Sequence, residues 1–265
     1  MAYQDRYSSI VLAKLRSTSV FAGIVGRQFE GDPKAGAVKV PVRGEAAVSQ
    51  YSIANGLAGS AAETTFKTIS IDQDYAVNEI IDGYAANAVP DGMVAERLDS
   101  AGYGLGKKAD DIILAAINHQ TSGSYDCKTA TQSDATKISD LIIDMVAEAV
   151  TVGVDRDKCW AVINPTNQAK LIKETQFTLC TSLSDMEKGV MGYVAGVPVY
   201  MSNNSNFTDK VLVGNSDFIH YVAEFMVPPT LRDGTGAYIG SAQVVARLVS
   251  GAAVTRPTTV IYKAS

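Results

Sequence analysis

The strongest periodicity in the chain lies between residues 91 and 118. Val94, Leu98, Ala101, Leu105, Ala109, Ile112, Ile113 and Ala116 recur at steps of three and four, which is one face of an amphipathic α-helix. Pro90 and Asp91 stand where such a helix begins, with Asp91 as its candidate N-cap. At 1.5 Å per residue this helix reaches roughly 40 Å. Its stripe runs straight through GYGLGKK. Gly102, Gly104 and Gly106 each cost the helix up to ~1 kcal/mol relative to alanine, which points to close approach or bending against a neighbouring element.

A second helical stripe comprises Ile138, Leu141, Ile142, Met145, Val146, Ala149 and Val150. CWAVIN then reads as a short buried strand. Asn164 and Pro165 form a cap and first turn for a helix carrying Ala169, Leu171 and Ile172. Val38, Val40 and Val42 alternate with polar or small residues, and Phe66 to Ile71 form a second strand-like run. GVPVYMS, VLVG and FIHYVA add short strands, and VVARLVSGAAVTRPTTVIYK predicts two long ones. Helices and strands interleave without a βαβ rhythm or an internal repeat. The class is α+β.

One stretch has almost nothing to bury. From Lys34 to Glu63 the chain is rich in Gly, Ala and Ser, with hardly a large apolar residue. As a hairpin, the stretch from Gly31 to about Thr68 projects roughly 60 Å at about 3.3 Å per residue in each arm, and an isolated ribbon is marginally stable. Residues 1–30 mix small apolar clusters with Arg6, Lys14, Arg16 and Arg27. Neither segment is expected to find a core within its own chain. Their order should come from neighbouring subunits.

Composition narrows the class without naming a chemistry. Hydrophobic residues make up 46% and charged residues 19% of the 265 positions, a globular balance. A net charge of −5 gives no support to binding nucleic acid through the whole surface. Cys127, Cys159 and Cys180 are odd in number and widely spaced, which suggests reduced thiols and not a disulfide frame or zinc site. The N-terminus has no apolar core of a signal peptide, and no run reaches the roughly 18 apolar residues of a membrane span. A protein made and kept in a cytoplasm is the expectation.

Each candidate for catalysis or metal binding departs from its pattern. GYGLGKK supplies Gly106 and Lys107 but places Ala101 and Lys108 where a phosphate loop needs Gly and a hydroxyl. GNSDF begins like a nucleophile elbow, yet Phe218 replaces the second Gly, and only His119 or His220 is available as a base to Ser216. Asp72 and Asp74 open like a calcium loop that Ala76 and Val77 then break, and DRDKCW fails at Cys159 and Trp160. GTGAYIG (234–240) is one residue too long for a dinucleotide fingerprint. No catalytic, cofactor or metal residue is assigned.

The order of four segments resembles a known family. CWAVINPTNQAKLIKE, GYVAGVPVYMSNN, VSGAAVTRPTTVIYK and TTFKTISIDQDYAVNEIID leading into the long helix are similar to successive parts of tailed-bacteriophage major capsid proteins. That resemblance implies an α+β fold of the Hong Kong 97 type. Its parts would be an N-terminal arm (1–30), an extended loop (31–68), and a peripheral domain with a spine helix (69–130, helix about 91–118). An axial domain (131–243) and C-terminal strands returning to the peripheral domain (244–265) would complete it. It implies a structural protein, not an enzyme, that self-assembles into hexamers and pentamers of an icosahedral shell around double-stranded DNA, with non-specific DNA contact and no membrane. Virion location, assembly in a bacterial cytoplasm, a portal protein and decoration proteins belong to the same expectation. The short segment before the loop implies either a separate scaffolding protein or an already processed chain, and Met1 favours the first. Lys34, Lys39 and Lys67 lie in or beside the loop, where some relatives cross-link, but nothing assigns them that role. The alternatives are an encapsulin-type compartment shell and, from another class, a small hydrolase using Ser216 and His220.

Overall fold

The structure is a computed structural model. It describes residues 19–27, 36–43, 48, 50–53, 56, 64–81, 92–119, 128–130, 137–151, 153–207, 211–217, 219–233, 241–255 and 262–264. The long helical stripe becomes one uninterrupted helix, Gly92–His119. We call it α2, after a short turn of helix at Phe21–Ile24 (α1).

Two sheets flank α2. The smaller has three antiparallel strands: β3 (Gln73–Ile81), β10 (Ile219–Asp233) and β11 (Ala242–Val254), with β11 in the middle. The larger has seven strands. Their order is β4 (Lys128–Ala130), β12 (Tyr262–Ala264), β9 (Val211–Asn215), β5 (Cys159–Ile163), β8 (Val197–Met201), β7 (Val190–Val194) and β6 (Phe177–Leu179). Every residue of β5 is buried, as a central strand covered on both faces requires. Helix α3 (Ile138–Thr151) packs its apolar stripe on this sheet, joining Ile142, Met145 and Ala149 to Ala161, Val199 and Val213. Its first two amides, of Ile138 and Ser139, donate to the Glu174 carboxylate at 2.8 and 2.7 Å. Asn164 accepts from the Asn167 amide at 2.9 Å and caps α4 (Pro165–Leu171), the local signature read from the sequence.

The two halves of α2 serve different cores. Leu98 and Ala101 pack with Ile81 and Val244, and Leu105 packs with Ala246 and Leu248, all on the smaller sheet. Farther along, Ala109, Ile113 and Ile117 pack with Trp160, Val162 and Leu212 of the larger one. The glycines in between do not all serve close approach. Gly104 is exposed, and no atom lies within 4 Å of the place a Cβ would take. At that position the expectation of a tight neighbour is corrected.

The N-terminal segment also departs from expectation. Phe21, Ala22, Ile24 and Val25 are 0–8% exposed and belong to the main core. Phe21 meets the Phe207 ring edge-on at 5.9 Å between centroids. The start of α1 is capped from α2. One Asp110 oxygen accepts from the Ser19 hydroxyl at 2.5 Å and the Phe21 amide at 3.0 Å, and the other accepts from the Val20 amide at 3.0 Å. Burial pushes the Asp110 carboxyl above its usual range, against the pull of these donors. Gly26 then bridges to the edge of β10, donating to Ile219 and accepting from Tyr221 at 2.9 and 3.1 Å. A side chain at Gly26 would stand 2.7 Å from the Ser216 carbonyl oxygen, so glycine is required there.

Strands β1 (Ala37–Arg43) and β2 (Thr64–Ser70) pair antiparallel, from Ala37↔Ser70 to Arg43↔Thr64. Their base has a core after all. Val40, Ile69 and Ile71 pack against Val222 of β10, and the Ile71 amide donates to the Gly36 carbonyl at 3.0 Å. The C-terminal expectation of two long strands is also corrected. β11 spans 13 residues, whereas β12 spans three and joins the other sheet, pairing with β4 and β9. Within β10, the register shifts between Phe225 and Val227 and again between Val227 and Thr230, the second shift spanning Pro228 and Pro229. Two residues without amide donors thus sit on an open edge, which discourages pairing with another chain.

Two stability predictions follow from the two ends of this core. Gly104→Ala should raise the thermal midpoint of the subunit, the gain approaching ~1 kcal/mol, because the added methyl meets empty space. A lowered midpoint would show that the helix needs the glycine. Asp110→Ala should cost about 2–4 kcal/mol in denaturant unfolding, since it orphans several buried donors at once. It should also open residues 19–27 to protease; unchanged cleavage would show that apolar packing alone holds the segment.

Candidate assembly surfaces

The exposed apolar side chains are not scattered evenly. On the hairpin, Phe66 is 65% exposed. Toward its tip, Ser52 and Gly56 form an isolated bridge in which the Gly56 amide donates to the Ser52 carbonyl at 2.8 Å. Tyr51 is 68% exposed there, and Val48 and Ile53 each reach 95%. Fully burying one such side chain is worth about 1.5–3 kcal/mol. The base of the hairpin is therefore anchored while its outer part leaves this stabilisation unused. A second exposed group, Leu179, Leu183 and Met186, lies at the β6 end of the larger sheet.

Several of the described candidate residues make structural contacts. Lys107 and Lys108 are in the interior of α2, where backbone amides already bond to the preceding turn and cannot cradle a phosphate. Lys108 pairs with Asp111 at 3.3 Å and stands 5.8 Å over the Tyr75 ring. Asp74, on β3, takes a two-pronged bond from Arg247 of β11, which holds its carboxyl below the usual range. Asp72 accepts from the Gln73 side-chain Nε2 at 3.0 Å. Asp155 accepts from the Asp157 amide at the start of a short 3₁₀ turn, Arg156–Lys158, and Lys158 pairs with Asp217 at 2.5 Å. Cys159 is buried, and burial pushes its thiol up, away from the reactive thiolate. Among the described residues, no group of three or more His, Cys, Asp or Glu side chains is placed to hold a metal ion.

Ser216 lies in the turn between β9 and β10, and His220 is four residues on in the strand, only 2% exposed and packed beneath Gly26. Burial lowers its imidazole below the ordinary value, against the influence of Asp217. His119 closes α2, with its side chain outside the described residues, as are GTGAYIG and Lys34. Lys39 and Lys67 are on the paired hairpin strands, opposite Thr68 and Val40.

Sequence reading missed Asp110 and Glu174, the carboxylates that cap helices from 89 and 36 residues away. It also passed over the exposed apolar group near β6. No local pattern marks a long-range cap. The exposed group did carry a signal, because Leu183 and Met186 belong to neither helical stripe.

By sequence, no family model and no curated protein matches the chain. By structure, the likeness is extensive. A chain from Mycobacterium phage Che8 superposes with a TM-score of 0.67 at 20% identity, over 93% of this chain and 91% of that one. The capsid structure of cyanophage P-SCSP1u gives 0.67 at 16% identity, over 94% and 88%. The virus-like particle from Pyrococcus furiosus gives 0.61 at 16% identity, over 100% of both chains. The fold is that of the Hong Kong 97-type capsid proteins.

His220 gives a pH prediction that separates a packed imidazole from a working one. With its folded value lowered, the unfolded chain binds the proton more tightly. The stability due to neutral His220 is therefore present above the ordinary value of 6.5 and is lost as pH falls below it. His220→Gln should flatten the fall of the thermal midpoint between about pH 7 and pH 5. Parallel curves for the two proteins would show that the imidazole titrates alike when folded and unfolded.

Proposed function

We propose that this chain is the major capsid protein of a tailed bacteriophage, building hexamers and pentamers of an icosahedral shell around double-stranded DNA. The observation that carries the reading is the hairpin. Its base is fixed to its own subunit, while Val48, Tyr51, Ile53 and Phe66 are left in solvent. A side-chain set like this suits a strap laid across a neighbour. Fold neighbours that are phage capsids support it.

In this reading residues 31–68 are the extended loop, α2 is the spine of a peripheral domain, and the seven-stranded sheet is the axial domain at the centre of each ring. The 19–27 segment ends an N-terminal arm. Scaffolding, portal and decoration proteins would be separate chains, and assembly would take place in the bacterial cytoplasm. A net charge of −5 suits loose, non-specific contact with the packaged DNA. Function rests on shape and interface, with no catalytic step.

An encapsulin-type compartment shell is the second reading, favoured by the match to the Pyrococcus furiosus particle across both whole chains. The contents of purified particles distinguish the two: nucleic acid for the first, a cargo protein for the second.

The purified protein should form rings or closed shells in negative-stain micrographs. Deleting residues 46–60 should leave a folded subunit with an unchanged circular dichroism spectrum that closes no shell. Complete shells from the deletion variant would refute the strap. A wild-type chain that stays monomeric with or without a scaffold would refute the shell.

A further inference from the structure

The larger sheet ends at β6, and the chain just beyond it carries apolar side chains that its own subunit leaves uncovered. Leu179 is 58% exposed, Leu183 78% and Met186 55%. The last two are on α5 (Leu183–Glu187), a short helix tied back to β7 where the Tyr193 hydroxyl donates to Asp185 at 2.9 Å. The same subunit also holds an open apolar cleft of about 370 Å³, between α3 and the turn joining β7 to β8. Ile143, Ala147, Val150, Val194 and Ala195 line it, with Arg156 at its side. The turn is a two-residue hairpin with Ala195 and Gly196 at positive φ, so its backbone is fixed and the wall it forms is rigid.

The lining argues against a small-molecule site. Such sites place several convergent polar groups to orient a ligand. Among the described residues, Arg156 is the one polar side chain lining this cleft, and its guanidinium already donates to the Ala195 carbonyl. What remains is apolar surface with one positive charge. The turn sets the Asp185 carboxylate between two exposed apolar side chains, Leu183 and Met186, and Asp185 also holds its own contacts to the Tyr193 hydroxyl and, at 3.8 Å, to Lys188.

We propose that the Leu183–Glu187 turn of one copy seats in this cleft of the next copy, with Leu183 and Met186 entering beside Ala147, Val150 and Val194. The two surfaces belong to different parts of one chain. The contact is therefore heterologous, each copy giving a turn and receiving one, and it closes as a ring when the rotation between copies closes. This rests on the ring-forming reading above and names one contact within the ring.

The test uses Leu183→Cys and Ala147→Cys together in full-length protein whose Cys127 and Cys180 are changed to Ser. After assembly and mild oxidation, a denaturing gel without reductant should show a ladder of linked subunits ending at the ring size, and neither single variant should give one. Assembled double variant that remains monomeric on the gel, or that bonds within one chain, overturns the proposal. If the cysteines prevent assembly, Leu183→Ser with Met186→Ser decides. That variant should fold normally but need about tenfold or more protein to form rings, the effect of truncating an apolar anchor. Equal assembly of this variant and wild type removes the contact while leaving the shell reading intact. Wild type that forms no rings at all removes both.

Discussion

A single helix has to complete two hydrophobic cores, and most of the architecture depends on how it does so. The first half of α2 gives Leu98, Ala101 and Leu105 to the three-stranded sheet, and the second half gives Ala109, Ile113 and Ile117 to a core shared by the seven-stranded sheet, the N-terminal segment and the near ends of β10 and β11. Because the helix is continuous, it ties the two sheets together through one element. The hairpin inherits its position from this arrangement, since Val40 and Ile69 rest on β10. So does the N-terminal segment, which Asp110 holds against the same helix.

This gives the molecule a rigid body with adhesive edges. Apolar surface is well buried at the centre, as shown by Trp160, Val162 and Leu212 at 3% exposure or less. At the periphery it is left out, at the hairpin tip and near β6. A monomer that exposes large side chains in clusters is usually a partner for something. The open edge of β10, in contrast, is protected by Pro228 and Pro229. The chain thus leaves apolar side chains open at some edges and blocks strand pairing at another.

Much of this was readable from side-chain spacing. The α2 stripe, the α3 stripe, CWAVIN and the Asn164–Pro165 cap each depend on residues close in sequence, and each formed as read. Strand β3 escaped notice because Glu79 falls on its half-buried face and Ile80 on its exposed face, which blurs the alternation. The length of β10 was hidden by two prolines that normally end a strand, here accommodated by register shifts. The N-terminal segment was misjudged for a deeper reason. Four apolar residues within a charged stretch look insufficient until Asp110, Phe207 and Ile113 are brought to them. The candidate surfaces were half legible: poverty of apolar residues marked the hairpin, but only the fold reveals that Leu183 and Met186 are left uncovered.

The Ser19–Asp110 bond closes across 91 residues, and that separation sets an order of events during synthesis. The residues that fill the core beside Phe207 leave the ribosome first, yet their seat does not exist until α2 and much of the larger sheet have been made. At the slow rate of translation, about 5–20 residues per second, the nascent N-terminus spends many seconds solvated before it can dock. Loop closure over such a distance adds an entropic barrier that grows only slowly with length, so docking waits on the partner and not on the search. The segment therefore cannot dock until Asp110 and Phe207, both made long after it, are in place.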